Sequence, residues 1–538
     1  MPGGIFSSPS KKREDEGRDA VTTPLERLDE RSLDLLVIGG GLSGASATRA
    51  LARAGYAVAL IERRDFGAGA TGLAPRLLEG GLDTLLAGRL VGARSSLRAR
   101  RALSRRAPQL VRPCALIVAG EAASAAARRR LALFELLSWP REGWPRPRKV
   151  KAEAARTLIP GLRLHRTREV TIHYDAVIDE RRFALLTALD ARRAGALLAS
   201  RCEPVSLAKD GNGFARVELR DRLNGEMASP RARLVICATG AGSEALRRTL
   251  GLSGETPLLP VPGPTRLFLA QAAEAGAIVF DKGGAQPTFL VPVPGGLLLS
   301  TNDAATMDAN RHKHRQEAER EGFLHLLEQV FDAPPQRTKI LRGASFRPRH
   351  DVARQPLGGC LHVERFAEIP FVTFAVRSLA RHEETLRLLV ASVRRYLRPS
   401  APTPHLAPTL PGGELSRLEG EIAAARAAGL ATQQARWLIE RYGAHWRLVL
   451  DGHDDPSAAL TSTGLPLVAE IGWALREEAV RTVSDLALRW RLGEIAPEEQ
   501  DAAAEATARE MARCCGWSPT RRERELQRWR DERDDTIY

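Results

Sequence analysis

The chain of 538 residues has few cysteines and no long apolar run. Its six cysteines include no C-x-x-C pair, so the sequence indicates neither a zinc site nor a disulfide framework and suits a reducing cytoplasm. No stretch of about 18 apolar residues exists, so we expect no membrane-spanning helix. The N-terminus is polar and charged, unlike a signal peptide. We therefore expect a cytoplasmic protein, and peripheral attachment to the inner face of a membrane stays open.

The sequence is short of negative charge, with a net charge of +15. Such a charge favours anionic partners, although a compositional preference for Arg and Ala is the simpler interpretation. Residues 89–112 hold eight arginines but no aromatic residue that could stack on bases, so we expect a solvated helix face and no nucleic-acid partner. His312 and His314 are two positions apart and do not share a helix face, so we predict no metal site.

Composition divides the chain into four parts. Residues 1–30 are polar and are expected to form a disordered tail. Residues 31–396 alternate strand and helix patterns. Residues 397–413 form a proline-rich stretch that we interpret as a linker. Residues 414–538 have helical spacing and predict an all-α C-terminal domain.

A β-α-β nucleotide-binding pattern opens the patterned part of the sequence. The apolar strand LLVI runs into G-x-G-x-x-G, formed by Gly39, Gly41 and Gly44, and a helix follows. The first glycine permits a tight turn, the second lets the backbone approach a pyrophosphate, and the third lets helix and strand pack closely. The helix N-terminus offers N–H groups to the phosphates. A second strand ends in Glu62, which is predicted to accept hydrogen bonds from the adenosine ribose.

A second nucleotide-side element lies far downstream. In RARLVICATG a strand runs into a small-residue turn that ends at Gly240, where the backbone can approach a cofactor. This pairing favours FAD over NAD, and the alternative is a Rossmann fold whose pocket no longer binds. We expect an α/β protein in which a Rossmann-type FAD-binding domain is interleaved with a mixed α+β substrate domain. An all-α C-terminal domain follows.

At these residues the chain resembles the respiratory, FAD-dependent glycerol-3-phosphate dehydrogenases. Besides the fingerprint, the resemblance is carried by RRAPQLVRP, YDAVIDERRFAL, GGLLLSTND and RGASFRP, and by ARWLIERYGAHW and CCGWSPTRRERE in the C-terminal part. It places Arg182 at a family arginine and Arg347 at the arginine that holds the substrate phosphate, so Arg347 is the predicted catalytic residue. It also implies oxidation of sn-glycerol 3-phosphate to dihydroxyacetone phosphate, with electrons passed to quinone. A homodimer stays open.

The chain departs from the family pattern on the substrate side. Where the family has His-Gly-Gly-Leu-Arg-Tyr, the His, Arg and Tyr are replaced by Glu79, Asp83 and Thr84. A family Gly-Gly-Lys-Leu-Thr-Thr-Tyr-Arg segment aligns with residues 376–383, where Val376 and Arg377 replace the glycines and the Lys is absent. A charge-assisted hydrogen bond contributes roughly 1.5–3 kcal/mol, so these losses predict phosphate binding weaker by about two to four decades.

Three hypotheses follow from this mixture. The first is a glycerol-3-phosphate dehydrogenase in which Arg377 or Arg381 restores the lost contacts. The second is an FAD oxidoreductase of the same fold with another, neutral or cationic substrate, which Glu79 and Asp83 would suit. The third is a catalytically lapsed paralogue that keeps the fold for a binding role. Glu79 and Asp83 are equally well interpreted as plain surface acids.

Overall fold

The computed structural model describes the following residues: 25–78, 81, 82, 85, 90–119, 125–138, 144–164, 168–262, 266–279, 288–300, 312–333, 338–341, 344–349, 359–366, 368–415, 417–492 and 497–535. Glu79, Asp83 and Thr84 lie outside these residues, and so do the side chains of Arg347, His312 and His314. Of the predicted tail, residues 1–24 lie outside them as well, whereas residues 25–30 form a turn with Leu25 and Leu28 buried.

Within the described residues the strands form three sheets. In chain order the strands are β1 (Ser32–Ile38), β2 (Val58–Glu62), β3 (Leu77–Leu78), β4 (Arg112–Ala119), β5 (Arg148–Lys151), β6 (Glu169–Val177), β7 (Leu197–Ser200), β8 (Cys202–Lys209), β9 (Ala215–Asp221), β10 (Met227–Ala228), β11 (Arg231–Cys237), β12 (Leu258–Pro262), β13 (Arg266–Leu269), β14 (Gly276–Val279), β15 (Thr288–Val293), β16 (Gly296–Ser300), β17 (Thr338–Leu341), β18 (Ala344–Pro348), β19 (Cys360–Phe366) and β20 (Ile369–Ala375).

The helices of the described residues follow the same order. They are α1 (Leu42–Arg53), α2 (Leu90–Arg106), α3 (Ala125–Leu137), α4 (Ala152–Leu158), α5 (Glu180–Arg193), α6 (Ser243–Thr249), α7 (His312–Val330), α8 (His382–Val393), α9 (Leu418–Ala427), α10 (Thr432–Tyr442), α11 (Trp446–Leu450), α12 (Ala469–Glu477), α13 (Val483–Arg489), α14 (Pro497–Cys515) and α15 (Pro519–Asp535).

The chain alternates between the two large sheets. The first has a parallel centre in the order β20-β11-β1-β2-β7, with β8, β9, β10 and β19 added antiparallel. The second runs β17-β13-β16-β15-β14-β4-β6-β3, with β5 beside β6, and β12 pairs with β18 alone. Because the chain leaves the first sheet after β2, returns at β7, leaves again after β11 and returns at β19, the predicted interleaving of a Rossmann-type domain with a mixed substrate domain is confirmed.

Burial explains the pattern of these strands. β1 is buried on both faces after its first residue, as a central parallel strand requires. β9 alternates buried and exposed residues, which suits an antiparallel strand with one face in water. α1 packs against α5, and Ala52 of α1 shares a buried cluster with Ala191 of α5.

The C-terminal part is built from helices, as predicted. From α9 onward the regular elements of the described residues are helical, and their core contains Trp437, Tyr442, Trp446, Ile471 and Trp490. Residues 397–413 contain no helix or strand. The exact domain bounds remain predictions.

Candidate functional site

The glycine turn joins β1 to α1. Gly39 has a φ of +107°, and a Cβ there would lie 2.8 Å from the carbonyl oxygen of Ala238. A Cβ on Gly44 would lie 1.7 Å from the carbonyl oxygen of Gly39, so only glycine lets α1 pack against the end of β1. A Cβ on Gly41 would meet Thr71 Oγ1 at 3.2 Å, a contact that a small shift relieves. The need for glycine at Gly41, the second glycine of the fingerprint, therefore comes from the predicted approach of a pyrophosphate.

Glu62 ends β2, and its carboxylate turns back onto the glycine turn. Oε2 accepts a hydrogen bond from the Gly40 N–H at 2.6 Å, and Oε1 accepts one from the Arg64 N–H at 2.8 Å. Burial raises the pKa of Glu62, while these two N–H donors oppose the rise. Since each carboxylate oxygen has a second lone pair, the side chain keeps acceptor sites for the ribose hydroxyl groups.

The turn after β11 lies beside the glycine turn. The Ala238 N–H donates to the carbonyl oxygen of Ile38 at 2.8 Å, and Gly240 follows with a φ of +56°. The structure thus brings the predicted cofactor residues to one place, at the carboxyl ends of the parallel strands, where open α/β sheets bind their ligands. These residues are Gly39, Gly41, Gly44, Glu62 and Gly240.

Arg347 lies on β18, where its backbone is opposite Leu259 of β12. A Cβ on Gly240 would lie 3.6 Å from the ring of Phe346, the residue before Arg347, so β18 passes beside the second turn. The strand is therefore close to the cofactor residues. A contact of the Arg347 side chain with substrate stays a prediction, because that side chain is outside the described residues.

A segment that was not predicted from the sequence lies over the glycine turn. We call residues 65–72 the cover segment. The Gly67 N–H donates to the carbonyl oxygen of Gly40 at 3.0 Å, and the Leu42 N–H donates to Thr71 Oγ1 at 2.9 Å. Because Leu42 is the first residue of α1, the Thr71 hydroxyl lies at the helix N-terminus and keeps its own proton as a hydrogen-bond donor. A single threonine in a run of small residues forms no recognisable motif.

Buried ion pairs tie this region to the helical domain. Arg489 donates to both carboxylate oxygens of Asp65, at 2.7 Å each. Arg182 donates to both oxygens of Glu478, at 2.7 and 2.5 Å. Burial alone would raise the pKa of Glu478, but Arg182 and Arg489 hold it at about 2. The sequence placed Arg182 at a family position, and the structure shows that its partner is in the C-terminal domain.

Residues 376–383 lie partly in the core and partly at the surface. Val376 is 6% exposed and packs in the core around α1, whereas Arg377 is exposed. Glu383, which the sequence resemblance aligns with the last arginine of the family segment, pairs with Arg106 and with His382 Nε2, the latter at 3.2 Å. Burial would raise the pKa of Glu383, but hydrogen bonds from His382 and Arg106 hold it well below its usual range. The carboxylate of Glu383, held by Arg106 and His382, therefore takes the place of the arginine that the family resemblance predicts.

Residues 34–370 match the family described as "FAD dependent oxidoreductase". The chain belongs to that family. Residues 407–522 match the "C-terminal domain of alpha-glycerophosphate oxidase", which confirms the resemblance predicted from the sequence. FAD is the cofactor of this family, and the glycine turn and the free acceptor sites of Glu62 fit its pyrophosphate and ribose.

Relatives match in part of their length. Glycerol-3-phosphate dehydrogenase 2 of Mycobacterium tuberculosis (strain ATCC 25618 / H37Rv) is 29% identical over 228 residues, which are 41% of this chain and 38% of the relative. Alpha-glycerophosphate oxidase of Streptococcus pyogenes serotype M1 is 28% identical over 238 residues, which are 43% of this chain and 39% of the relative. The match therefore spans about two fifths of the length of these relatives.

A solved structure matches over nearly the whole chain. The glycerol-3-phosphate dehydrogenase of Bacillus halodurans, complexed with FAD, aligns with a TM-score of 0.69, covers 96% of both chains and is 18% identical. At that identity the likeness establishes the fold, including the attachment of a helical domain to the oxidoreductase domain.

Proposed function

We propose that this chain oxidises the C2 hydroxyl group of sn-glycerol 3-phosphate to the ketone of dihydroxyacetone phosphate. One observation carries the proposal: the oxidoreductase match at 34–370 and the glycerophosphate-oxidase C-terminal match at 407–522 occur in one chain and in that order. The two parts are joined by buried pairs such as Arg489–Asp65. The relatives named for glycerol 3-phosphate or glycerophosphate agree with this substrate class.

When bound, FAD would supply the two-electron acceptor for a hydride from C2, and the proton of the C2 hydroxyl group would pass to water. The chain's own residues bind the cofactor and orient the substrate against it. The amides at the start of α1 would hold the pyrophosphate, and Glu62 would hold the ribose. We assign Arg347 to the substrate phosphate, because β18 carries it past the Gly240 turn. Orientation of this kind can provide a large part of the rate enhancement.

A second candidate function is oxidation of a different substrate, or a binding role without catalysis. The ion-paired Glu383 favours it, because a carboxylate held by Arg106 and His382 cannot replace a family arginine that binds an anion. The buried side chain of Val376 at a family glycine adds to this.

The deciding experiment combines flavin detection with anaerobic reduction. We expect the purified protein to carry FAD and to be bleached by glycerol 3-phosphate only at millimolar concentration, and not at all by glycerol. FAD without any bleaching by glycerol 3-phosphate would support the second candidate. A colourless protein that takes up no FAD in a titration would contradict the cofactor assignment itself.

Arg347→Met tests the assigned phosphate contact. We expect the substrate concentration for half-maximal bleaching to rise about tenfold or more, since a charge-assisted hydrogen bond contributes roughly 1.5–3 kcal/mol. Lys at this position should restore part of the loss. An unchanged concentration dependence in Arg347→Met would show that another group holds the phosphate.

We also propose that the chain works on the cytoplasmic face of a membrane and passes its electrons to quinone. Val91 on α2 and Leu136 on α3 are 83% and 71% exposed, and Arg94 and Arg98 are exposed on α2. Apolar side chains among arginines suit an anionic bilayer surface. In the described parts of the chain, no helix is long and apolar enough to cross a membrane.

Vesicle flotation tests this attachment. We expect the protein to float with vesicles that contain phosphatidylglycerol and to lose this binding in the double variant Val91→Glu, Leu136→Glu. Flotation that is equal in the double variant would contradict the assigned surface. Reoxidation of the reduced protein by a soluble quinone, compared with oxygen, identifies the acceptor.

A further inference from the structure

The cover segment is held at both ends by arginines of the helical domain. At one end, Arg489 binds both carboxylate oxygens of Asp65 at 2.7 Å. At the other end, Arg491 Nη1 donates to the carbonyl oxygen of Gly72 at 2.9 Å. Arg489 is the last residue of α13 and Arg491 lies in the turn after it, so one short stretch of the C-terminal domain makes both contacts.

These contacts are buried. Asp65 is fully buried, and Arg489 and Arg491 are 4% and 9% exposed. Arg491 also binds Asp179 Oδ1 at 2.9 Å, and Asp179 is the N-cap of α5. The planar guanidinium group can reach the carbonyl and the carboxylate together, which the single ammonium group of lysine does less well. Buried pairs of this kind hold one geometry, and removal of one partner is strongly unfavourable.

Between its two held ends, the cover segment presents two groups to the nucleotide turn. A Cβ on Gly40 would lie 2.6 Å from the ring of Phe66, so this ring packs directly on the turn. Thr71 Oγ1 accepts the Leu42 N–H at the N-terminus of α1. If the segment moved away, both groups would leave the end of α1 that binds the pyrophosphate.

We propose that Arg489 and Arg491 are positioning residues for the cofactor, through which the helical domain holds the cover segment over the bound nucleotide. The C-terminal domain thus completes the FAD site although its described residues include none of the predicted cofactor contacts. This inference rests on the binding of FAD at the glycine turn.

The test measures the Kd of FAD for the apoprotein in the wild type, Arg491→Met and Arg491→Lys. We expect Arg491→Met to raise the Kd about tenfold or more, because the hydrogen bonds it removes involve a charged donor. Arg491→Lys should lie between the two, since it keeps the charge beside Asp179 but does not span both acceptors.

The matched control is Arg481→Met. Arg481 joins the same two domains through Asp221 at 2.7 Å and the carbonyl oxygen of Ser200 at 3.0 Å, and it makes no described contact with the cover segment. We expect its Kd for FAD to stay within about twofold of the wild type, even where its thermal midpoint falls as far as that of Arg491→Met.

Thr71→Val supplies a second measurement, the coupling between its effect on the Kd of FAD and that of Arg491→Met. A purely structural role of Arg491 would produce no such coupling. If Arg491 acts through the cover segment, the effects of Arg491→Met and Thr71→Val on the Kd are not additive in the double variant. If Arg491→Met does not fold, Arg491→Lys takes its place in the cycle. Equal FAD affinity in the wild type and the Arg491 variants overturns the proposal, and so does an equal loss in Arg481→Met. A wild type that binds no FAD instead overturns the cofactor assignment, and this inference with it.

Discussion

Replacement of Glu180 by glutamine should make the protein more stable relative to the wild type as the pH rises. The Glu180 side chain is 4% exposed at the start of α5. Its Oε1 accepts the Arg76 N–H at 3.1 Å, and within the described residues Oε2 has no hydrogen-bond partner. Burial raises the pKa of Glu180 to about 7, with Asp179 adding to the rise and Arg491 opposing it.

The size of the effect follows from this pKa. The rise from 4.5 to about 7 corresponds to about 3 kcal/mol, at about 1.4 kcal/mol for each pKa unit. Below pH 4.5 the carboxyl is protonated in both states, and its stabilising contribution is fully present. As the pH rises to about 7, the unfolded chain releases the proton while the folded chain keeps it, so this contribution is lost. Glutamine has no proton to release and avoids the loss.

Urea unfolding of the wild type and Glu180→Gln, at several pH values between 4.5 and 8, measures the difference. Multiplied by the m value, the difference in midpoints should grow in favour of the variant by up to about 3 kcal/mol and then level off above pH 7. A difference that does not change with pH would refute the assigned pKa.

Asp179→Asn is the matched control. Asp179 is the neighbour of Glu180, and its pKa is shifted down whereas that of Glu180 is shifted up. Burial would raise the pKa of Asp179, but Arg491 and Arg76 hold it well below its usual range. Its stabilising contribution is therefore present above the unfolded pKa and is lost only at lower pH. We expect Asp179→Asn to be less stable than the wild type throughout about pH 5 to 8, by an amount that narrows as the pH rises, because Asp179 no longer raises the pKa of Glu180.

Other variants test the site directly. Gly44→Ala should prevent α1 from packing against β1, since its Cβ would lie 1.7 Å from the carbonyl oxygen of Gly39. We expect a weaker helical signal in circular dichroism and no FAD uptake. Gly41→Ala should fold normally yet bind FAD at least about tenfold more weakly in a fluorescence titration, because the methyl group stands toward the pyrophosphate. Glu62→Gln should weaken FAD binding by about tenfold, since one of two acceptor oxygens is replaced by a donor. Arg201→Leu should lower stability by about 3–5 kcal/mol in urea unfolding, because it leaves the buried carboxylate that Arg201 binds without its partner. Unchanged values in any of these measurements would contradict the contact concerned.

The sequence predicted residues that the structure brings to one turn, and their contacts with the nucleotide stay a prediction. Gly39, Gly41, Gly44 and Glu62 lie within one β-α-β unit, and their spacing alone specifies a turn, a helix start and a strand end. The partner turn at Gly240 was also predicted, because a buried strand that ends in small residues leaves the same local signal.

In the helical domain, local sequence patterns predict the helices but not their contacts with the first domain. Its helices were predicted from their spacing, and the structure confirms them. Its contacts with the first domain were not predicted. Asp65 and Arg489 form one such pair and are 424 positions apart, and a chain with many arginines and carboxylates offers no local rule for choosing among partners.

The sequence by itself therefore determined the fold class, the dinucleotide fingerprint and the residues that should face a pyrophosphate and a ribose. These depend on periodicity and on glycine positions within a few tens of residues. Only the tertiary structure decided that the cover segment lies on the start of α1, that Glu383 is fixed by Arg106, and that Arg489 and Arg491 reach across from another domain. Such contacts arise from complementary charge and shape between distant segments, and their free energy exists only after the chain has packed.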